Sequence, residues 1–423
     1  MPSLAADLEF RGLVHQVTDP SLLARLDGPP LVAYTGFDPT ADSLHVGSLL
    51  QILLLRRLQR AGHRPIALVG GGTGLIGDPG GKATERPLLD EEQAAANLRG
   101  ISGQLERLLE VGPGAAEVVD NGEWLRGLGL VPFLRDVGKH FSVNQMVAKE
   151  SVRARLERPE QGISFTEFSY MLLQAYDFLH LHDSRRCEVQ LGASDQWGNI
   201  TMGVDLVRRR RGAEVHGLTT PLVVRPDGTK FGKSESGTVW LDSRRTSPYQ
   251  LYQFFLRSED GVVGDYLRYF TFLDHDTIRS LDRHTAEHPE RREAQRALAR
   301  HVCGLVHGDG EADRAQRAAA ALFTEEIVSL DETTLLQVFA EAPSSVVPRA
   351  DLDDGIALVD VLVSSMLVGS KAKARATIEQ GGAYVNNRRV GDVDARIGHD
   401  DLLAGRYVVL RRGRRDYHLL RLA

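Results

Sequence analysis

Leu31-Val-Ala-Tyr-Thr-Gly-Phe37, Asp38-Pro-Thr-Ala-Asp-Ser-Leu-His-Val-Gly-Ser48, a Leu-rich run that stops near Gly62, and Ile66-Ala-Leu-Val69 follow one another within residues 31–69. The first run is short, apolar and β-branched or aromatic enough for a buried strand. Residues 44–60 carry apolar side chains at helical spacing, and Ile66–Val69 reads as a second strand. Strand, helix, strand in this order builds a parallel sheet through a right-handed crossover. Further runs at Glu188-Val-Gln-Leu191 and Leu222-Val-Val224 read as later strands. Residues 1–225 are therefore expected to form a doubly wound α/β domain whose ligands sit at the carboxyl ends of the strands.

Beyond this domain the pattern changes. From Ser247 to Leu330 helical, charged and Ala-rich stretches dominate, as in Glu290-Arg-Arg-Glu-Ala-Gln-Arg-Ala-Leu-Ala299. The Pro, Ser and Asp content of Ala342–Gly355 suits a linker, and the expected boundaries are 226–330 for a helical second domain and 331–355 for the connection. Residues 356–423 form a third, small α+β unit, with short helices over 358–368 and 371–380 and a turn with strands over Gly381–Val390. From Lys371 onward there are 12 Lys+Arg against 6 Asp+Glu, so this tail carries +6 and the remainder −12. A basic module on an acidic body fits a polyanionic partner. Cys187 and Cys303 are too few and too far apart for a disulfide framework or a zinc site, and read as core residues. No apolar stretch reaches the roughly 18 residues of a membrane span, and the first residues lack the pattern of an export signal, so a cytoplasmic enzyme is expected.

Two polar segments carry chemistry. Asp38–Ser48 lies between the first strand and its helix, where unpaired helix N–H groups favour phosphate and Thr40 and His45 add donors. Gly47 would let a flat base approach the backbone. Pro226-Asp-Gly-Thr-Lys-Phe-Gly-Lys-Ser-Glu235 places Lys230 and Lys233 three residues apart in a glycine-punctuated loop able to close over a leaving group. Taken singly, the first is equally an ordinary helix cap and the second a solvated basic hairpin. Gly72-Thr-Gly-Leu-Ile-Gly77 fits the dinucleotide pattern G-x-G-x-x-G, but Asp78-Pro-Gly-Gly81 interrupts the helix that pattern should open, so nicotinamide binding is not expected.

The two segments in this order resemble the HIGH-type and KMSKS-type signatures of class I aminoacyl-tRNA synthetases. The resemblance is closest to the bacterial tyrosyl-tRNA synthetases and covers essentially the whole chain. It is carried most specifically by Tyr34–Gly47, Gly74–Pro79, Phe165-Thr-Glu-Phe-Ser-Tyr-Met-Leu-Leu-Gln-Ala-Tyr-Asp177 and Gly192-Ala-Ser-Asp-Gln-Trp-Gly-Asn199. It implies a Rossmann-like catalytic domain that binds tyrosine and ATP. Tyr170, Gln174 and Asp177, at spacings of four and three, share one helix face. By the resemblance, Tyr170, Gln174 and Asp78 hold the substrate ammonium, Tyr34 and Asp177 meet its phenolic hydroxyl, and Gln196 and Asp195 lie between amino acid and ribose. Gly36, Asp38, Gly47 and Gly192 form the nucleotide floor, with Thr35 and Ser48 against ribose or base. Thr35 stands where some relatives have cysteine, and Ser48 where the family usually has His or Asn, which implies a modest loss of ATP contact. Thr40, His45, Lys82, Arg86, Lys230 and Lys233 act on the phosphoryl transition state, with Lys233 and Ser234 also touching ATP.

ATP is expected as a substrate accompanied by Mg2+, without a dedicated protein metal site. The third unit resembles S4-type RNA-binding domains. Lys371, Lys373, Arg375, Arg388 and Arg389 are its candidate RNA contacts, and the helical domain is expected at the anticodon region of tRNA. A homodimer is implied by the family, and neither a membrane nor DNA is an expected partner. The rival expectations are activation of tryptophan on the same fold, an RNA-binding protein that has lost activation, and a nucleotidylyltransferase.

Overall fold

The computed structural model describes residues 2–78, 90–157, 162–224, 231–234, 237–321, 324–340, 342–413 and 416–423. The chain falls into two compact units, Met1–Arg245 with Ser258–Leu298, and Thr246–Arg257 with Ala299–Ala423. Among the described residues no helix is long and apolar enough to cross a membrane.

In the first unit, strands β1 (Gln16–Val17), β2 (Val32–Phe37), β3 (Arg64–Val69), β4 (Glu117–Asp120), β5 (Cys187–Ala193) and β6 (His216–Thr220) make one sheet in the order β1-β6-β5-β2-β3-β4. All neighbours run parallel except β1, which closes the β6 edge antiparallel. The chain builds from β2 to β3 and β4, then returns to the other side of β2 for β5 and β6. That reversal creates a switch point between β2 and β5, where ligands of such sheets bind. Helices Phe165–Arg185 and Trp197–Arg211 cover the sheet, packing Met171, Ala175, Phe178, Met202 and Leu206 with Tyr34, Ile66 and Leu68.

One expected strand is displaced. The run at Leu222–Val224 is not β6; the strand is His216-Gly-Leu-Thr-Thr220, fully buried although three of its five residues are polar. Pro221, which has no N–H to give a ladder, ends it. Leu222 and Val224 are exposed beyond that stop. Hydrophobicity marked three residues beyond the strand because a strand buried inside a parallel sheet is defined by pairing as much as by side chains.

Helix Val46–Arg60 buries Val46, Leu49, Leu50, Ile52–Leu55 and Leu58, a broad apolar surface suited to a largely interior helix, and leaves Ser48, Gln51, Arg56, Gln59 and Arg60 outside it. Its far end carries Arg57, which is also buried. Arg57 Nη2 donates to the carbonyl of Thr271 at 2.6 Å, and Arg11 donates to Thr271 and Leu273 carbonyls at 3.1 and 2.7 Å. These carbonyls follow helix Asp260–Phe270, whose last turn has no intrahelical donors left. Asp7 bridges the pair and offsets one of its two charges, contacting Arg11 Nε at 2.8 Å, Arg57 Nη1 at 3.4 Å and His275 Nε2 at 2.8 Å. Phe272 lies 4.6 Å from the Arg57 guanidinium.

The second unit packs the Ala-lined face of Asp309–Ala321 against Pro248–Leu256 and Glu332–Val338, and carries a five-stranded sheet. Its strand order is Arg388–Val390, Ala383–Val385, Tyr407–Arg412, Asp416–Leu422, Ser344–Val347. Helices Leu358–Ser364 and Lys371–Glu379 cover one face through Leu358, Leu362, Ala374 and Ile378. The first stops four residues short of the expected 368, because Met366 takes the left-handed conformation, φ 58°. Within residues 331–355 lie the helix Glu332–Val338 and the strand Ser344–Val347, which pairs in parallel with Asp416–Leu422. Turn-rich composition hid that strand, whose ladder partner is far away in sequence.

Removing the Arg57 charge while keeping its length isolates what the buried cluster contributes. Arg57→Met leaves Asp7 short of a partner and the Thr271 carbonyl without one of its donors. It is expected to cost about 3 kcal/mol in equilibrium urea unfolding, and a loss under 1 kcal/mol would refute this account.

Candidate functional site

At the carboxyl ends of β2 and β5 lies a cavity of about 270 Å³. Tyr34, Thr35, Gly36 and Asp38 reach it from β2 and the turn after it, and Thr40, His45, Gly47 and Ser48 from the start of helix Val46–Arg60. Asp78 joins from the loop after β3. Tyr170, Gln174 and Asp177 line it from one face of helix Phe165–Arg185, and Gly192 and Gln196 from the end of β5. Asp195 stands outside this lining, exposed on the turn Ser194–Gln196. Lys82, Arg86 and Lys230 lie outside the described residues. The backbone of Lys233 and Ser234 forms a short strand paired with Gly237–Thr238.

The two signature segments are joined by backbone. Val46 N–H donates to Val239 O at 3.0 Å, Leu241 N–H to Leu44 O at 2.8 Å, and Val239 N–H to Gly232 O at 2.8 Å. This pairing explains why the helix starts at Val46 and not at 44. Phe231 is buried, stacks on Phe270 and meets Tyr266 edge-on, each at 5.1 Å, which fixes the base of the lysine loop beside Gly47. His45 caps the helix with its ring: Nδ1 accepts from Gly47 N–H at 3.0 Å. That bond places the imidazole proton on Nε2, and burial lowers the pKa so that the ring stays neutral. A Cβ on residue 47 would lie 2.7 Å from His45 Cε1, so glycine is what lets the ring fold over its own helix.

A chain of hydrogen bonds runs along the cavity. Tyr170 Oη donates to Asp38 Oδ2 at 2.9 Å and Thr73 Oγ1 to Asp38 Oδ1 at 3.1 Å. Asn121 Nδ2 donates both to Thr73 Oγ1 at 3.0 Å and to Asp177 Oδ2 at 2.9 Å, and Trp124 Nε1 donates to Asp177 Oδ1 at 2.7 Å. The Asn121 carbonyl is turned the other way by the N–H of Gly72, at 2.8 Å. A second chain orients the carboxylate of Asp78: Asn199 donates to Gln174 at 3.0 Å, Gln174 to Gln196 at 3.3 Å, and Gln196 to Asp78 Oδ2 at 2.7 Å. Thr35 Oγ1 donates to the Leu191 carbonyl at 3.0 Å, so toward a ligand it offers only acceptor lone pairs. The Tyr34 hydroxyl is buried with no hydrogen-bond partner among the described residues. Burial, with Asp177 nearby, holds its pKa well above the usual range and keeps the proton on.

Asn121, Trp124 and Thr73 were not singled out from sequence. Glu117-Val-Val-Asp120 is too short a strand to mark Asn121 as lying at a sheet's carboxyl end. The glycine run Gly70–Gly72 offered a signal of another kind: a Cβ at Gly70 would meet Asp38 Oδ1 at 2.5 Å, and one at Gly71 would meet Asp120 Oδ1 at 2.1 Å. These two glycines make room for carboxylates; those of the dinucleotide-like pattern meet other neighbours, Gly72 facing Leu125 at 2.9 Å and Gly74 facing Pro39 at 2.8 Å, with Gly77 at φ 83°.

In the second unit Lys371, Lys373 and Arg375 project along an exposed helix, with Lys371 paired to Asp360 at 2.6 Å. Arg388 contacts Glu325 at 3.5 Å, and Arg389 donates to the Gln380 carbonyl at 3.2 Å beside Gly381.

Burial pushes the Asp177 carboxyl up to about 8, against the opposing pull of its Asn121 and Trp124 donors. The unfolded value is about 4. Folding therefore takes up a proton at this group between about pH 4 and pH 8. Its stabilising share is complete below pH 4, falls as pH rises through the window, and is lost by about pH 8. Asp177→Asn removes this titration. The variant's unfolding free energy should gain on the parent's between pH 5 and pH 8, by at most about 1.4 kcal/mol per unit, and then run parallel. A constant offset across the range would show the carboxyl already ionised.

The profile of the family described as tRNA synthetases class I (W and Y) matches residues 26–324, and that of the tyrosine--tRNA ligase SYY-like C-terminal domain matches residues 335–420. The tyrosine--tRNA ligase of Roseiflexus castenholzii is 52% identical, and each chain is covered completely. That of Bacillus caldotenax is 51% identical over 99% of this chain and 100% of its own. Among solved structures, a C-terminally truncated Aspergillus nidulans mitochondrial tyrosyl-tRNA synthetase superposes with a TM-score of 0.69 at 33% identity, over 76% of this chain and 95% of that one. A tryptophanyl-tRNA synthetase from Encephalitozoon cuniculi shares the fold, with a TM-score of 0.54 at 15% identity, over 74% and 89% of the two chains. Full-length identity near one half, to relatives that share both the catalytic and the C-terminal parts, leaves one assignment: the chain belongs to the tyrosine--tRNA ligase family of class I aminoacyl-tRNA synthetases.

Proposed function

We propose that the cavity between β2 and β5 binds tyrosine and ATP side by side and joins them as tyrosyl-adenylate, which is then delivered to the 3′ end of tRNA(Tyr). The observation that carries the residue assignment is the pair of polar groups on the cavity wall, the Tyr34 hydroxyl and the Asp177 carboxyl, the latter held by Trp124 and Asn121. A phenol bridges such a pair, and phenylalanine would leave both groups unpaired, a penalty on the order of 10⁴–10⁵ in specificity. Asp78, Tyr170 and Gln174 present oxygens to the substrate ammonium, while Gln196 holds Asp78 in place. Gly36, Asp38, Gly47 and Gly192 border the nucleotide. Thr35 accepts from a ribose hydroxyl, Ser48 adds a weaker contact, and Asp195 reaches the ribose from the rim.

In the first step a tyrosine carboxylate oxygen attacks the α-phosphorus of ATP and pyrophosphate leaves. Thr40, the Nε2–H of His45, Lys82, Arg86, Lys230 and Lys233, with Ser234, stabilise charge as it spreads over the phosphoryl oxygens. Magnesium accompanies the ATP phosphates as part of the substrate. In the second step a terminal ribose hydroxyl of tRNA attacks the adenylate carbonyl and AMP leaves. Residues 1–225 thus serve activation, 226–330 the lysine loop and the anticodon side of tRNA, 331–355 the connection, and 356–423 RNA. Lys371, Lys373, Arg375, Arg388 and Arg389 supply charge for that last contact. The cytoplasm is the compartment proposed, where ATP and tRNA meet. A homodimer is proposed from Leu130, Val131, Leu134, Val143 and Phe165, large apolar side chains exposed along one stretch of the catalytic unit.

Pyrophosphate exchange should depend on tyrosine and be negligible with phenylalanine or tryptophan. Exchange with tryptophan instead would overturn the assignment. Trp124→Phe removes one donor from Asp177 and is expected to lower kcat/KM for tyrosine about 10-fold, with KM for ATP little changed.

A further inference from the structure

Met366 is the most exposed large hydrophobic side chain among the described residues, at 86%. It also stands at φ 58°, a left-handed conformation that side chains avoid and glycine accepts freely. The turn itself is required. Met366 N–H donates to Val363 O and Val368 N–H to Leu362 O, both at 3.0 Å, and the reversal drops Leu367 and Val368 into the core beside Leu362 and Ile378. Neither burial nor backbone ease accounts for methionine at its apex. An outlier of this kind points to a role outside the fold.

The setting indicates the partner. Four residues on, the Ser370 hydroxyl caps helix Lys371–Glu379 by accepting from Lys373 N–H. Lys373 and Arg375 are exposed there, and neither side chain is in an ion pair among the described residues. An exposed, apolar, unbranched, polarisable side chain seven and nine residues ahead of two exposed cations in the chain matches single-stranded RNA, in which bases offer apolar faces and phosphates offer charge. We propose that Met366 is an RNA-contact residue, its thioether arm lying against an unpaired base or ribose of bound tRNA while Lys373 and Arg375 meet adjacent phosphates. This rests on the tRNA-charging reading above and extends it to an apolar contact.

The test uses full-length enzyme and a tRNA(Tyr) transcript, with dissociation constants measured over a salt series and tyrosine-dependent pyrophosphate exchange as the control. Met366→Gly should raise the unfolding temperature of the protein by relieving the left-handed strain, and yet weaken tRNA binding by roughly 5-fold or more at every salt concentration. Met366→Leu should bind like the parent. Lys373→Ala should instead flatten the dependence of log affinity on log salt by about 1. Exchange should be unchanged in all three. A Met366→Gly variant that binds tRNA as tightly as the parent overturns the inference while leaving tRNA charging intact. Failure of the parent itself to bind tRNA would overturn both.

Discussion

Two guanidinium groups clamp the end of one helix, and the catalytic unit is arranged around that clamp. Arg11 and Arg57 hold carbonyls from the end of helix Asp260–Phe270, with Asp7 between them. Buried charges are costly unless paired and fully hydrogen-bonded, so this cluster tolerates few other positions of its three segments. Arg57 is one end of the helix whose other end is capped by His45. Phe270 and Tyr266, on the clamped helix, pack against Phe231, Phe270 face to face and Tyr266 edge-on. The two signature segments are therefore tied to the same pair of helices, and the short backbone pairing of residues 44–46 with 239–241 closes the frame.

Within that frame, acidity is managed by direction of donation. Asp38 and Asp177 are the two acceptors of one hydrogen-bonded chain, and Tyr170, Thr73, Asn121 and Trp124 all donate toward one or the other. Asn121 cannot reverse, because backbone N–H of Gly72 occupies its carbonyl. The Asp177 wall of the cavity and its Asp38 floor thus take their polarity from one shared set of bonds. His45 obeys the same logic on a smaller scale, since its bond to Gly47 leaves Nε2 as the outward donor.

Much of this was legible in residues 31–69, where a run of apolar residues, a polar turn and a Leu-rich helix of the right length announce a parallel unit before any comparison is made. Tyr170, Gln174 and Asp177 could be placed on one helix face from spacing alone, and they line one cavity together. What stayed hidden has a common cause. Asn121 and Trp124 act from a strand end and a single helical turn, elements too short to carry periodicity. β6 is polar yet buried, and Ser344–Val347 is a strand only by virtue of a partner 75 residues away in sequence. The clamp was equally invisible, because Asp7, Arg57 and Thr271 are brought together by packing and by nothing local.

The shared chain from Trp124 to Tyr170 also bears on how this enzyme can change over evolutionary time. A single substitution at Asp177 would not act at Asp177 alone. It would free an Asn121 donor, disturb Thr73, and reach Asp38 at the other end of the chain. Under the proposed assignment, drift toward another amino acid passes through intermediates altered at both ends of the cavity at once, whereas exposed residues outside the chain can vary one at a time. Specificity is protected here by entanglement, the inability of one part of the pocket to be rewritten without the other.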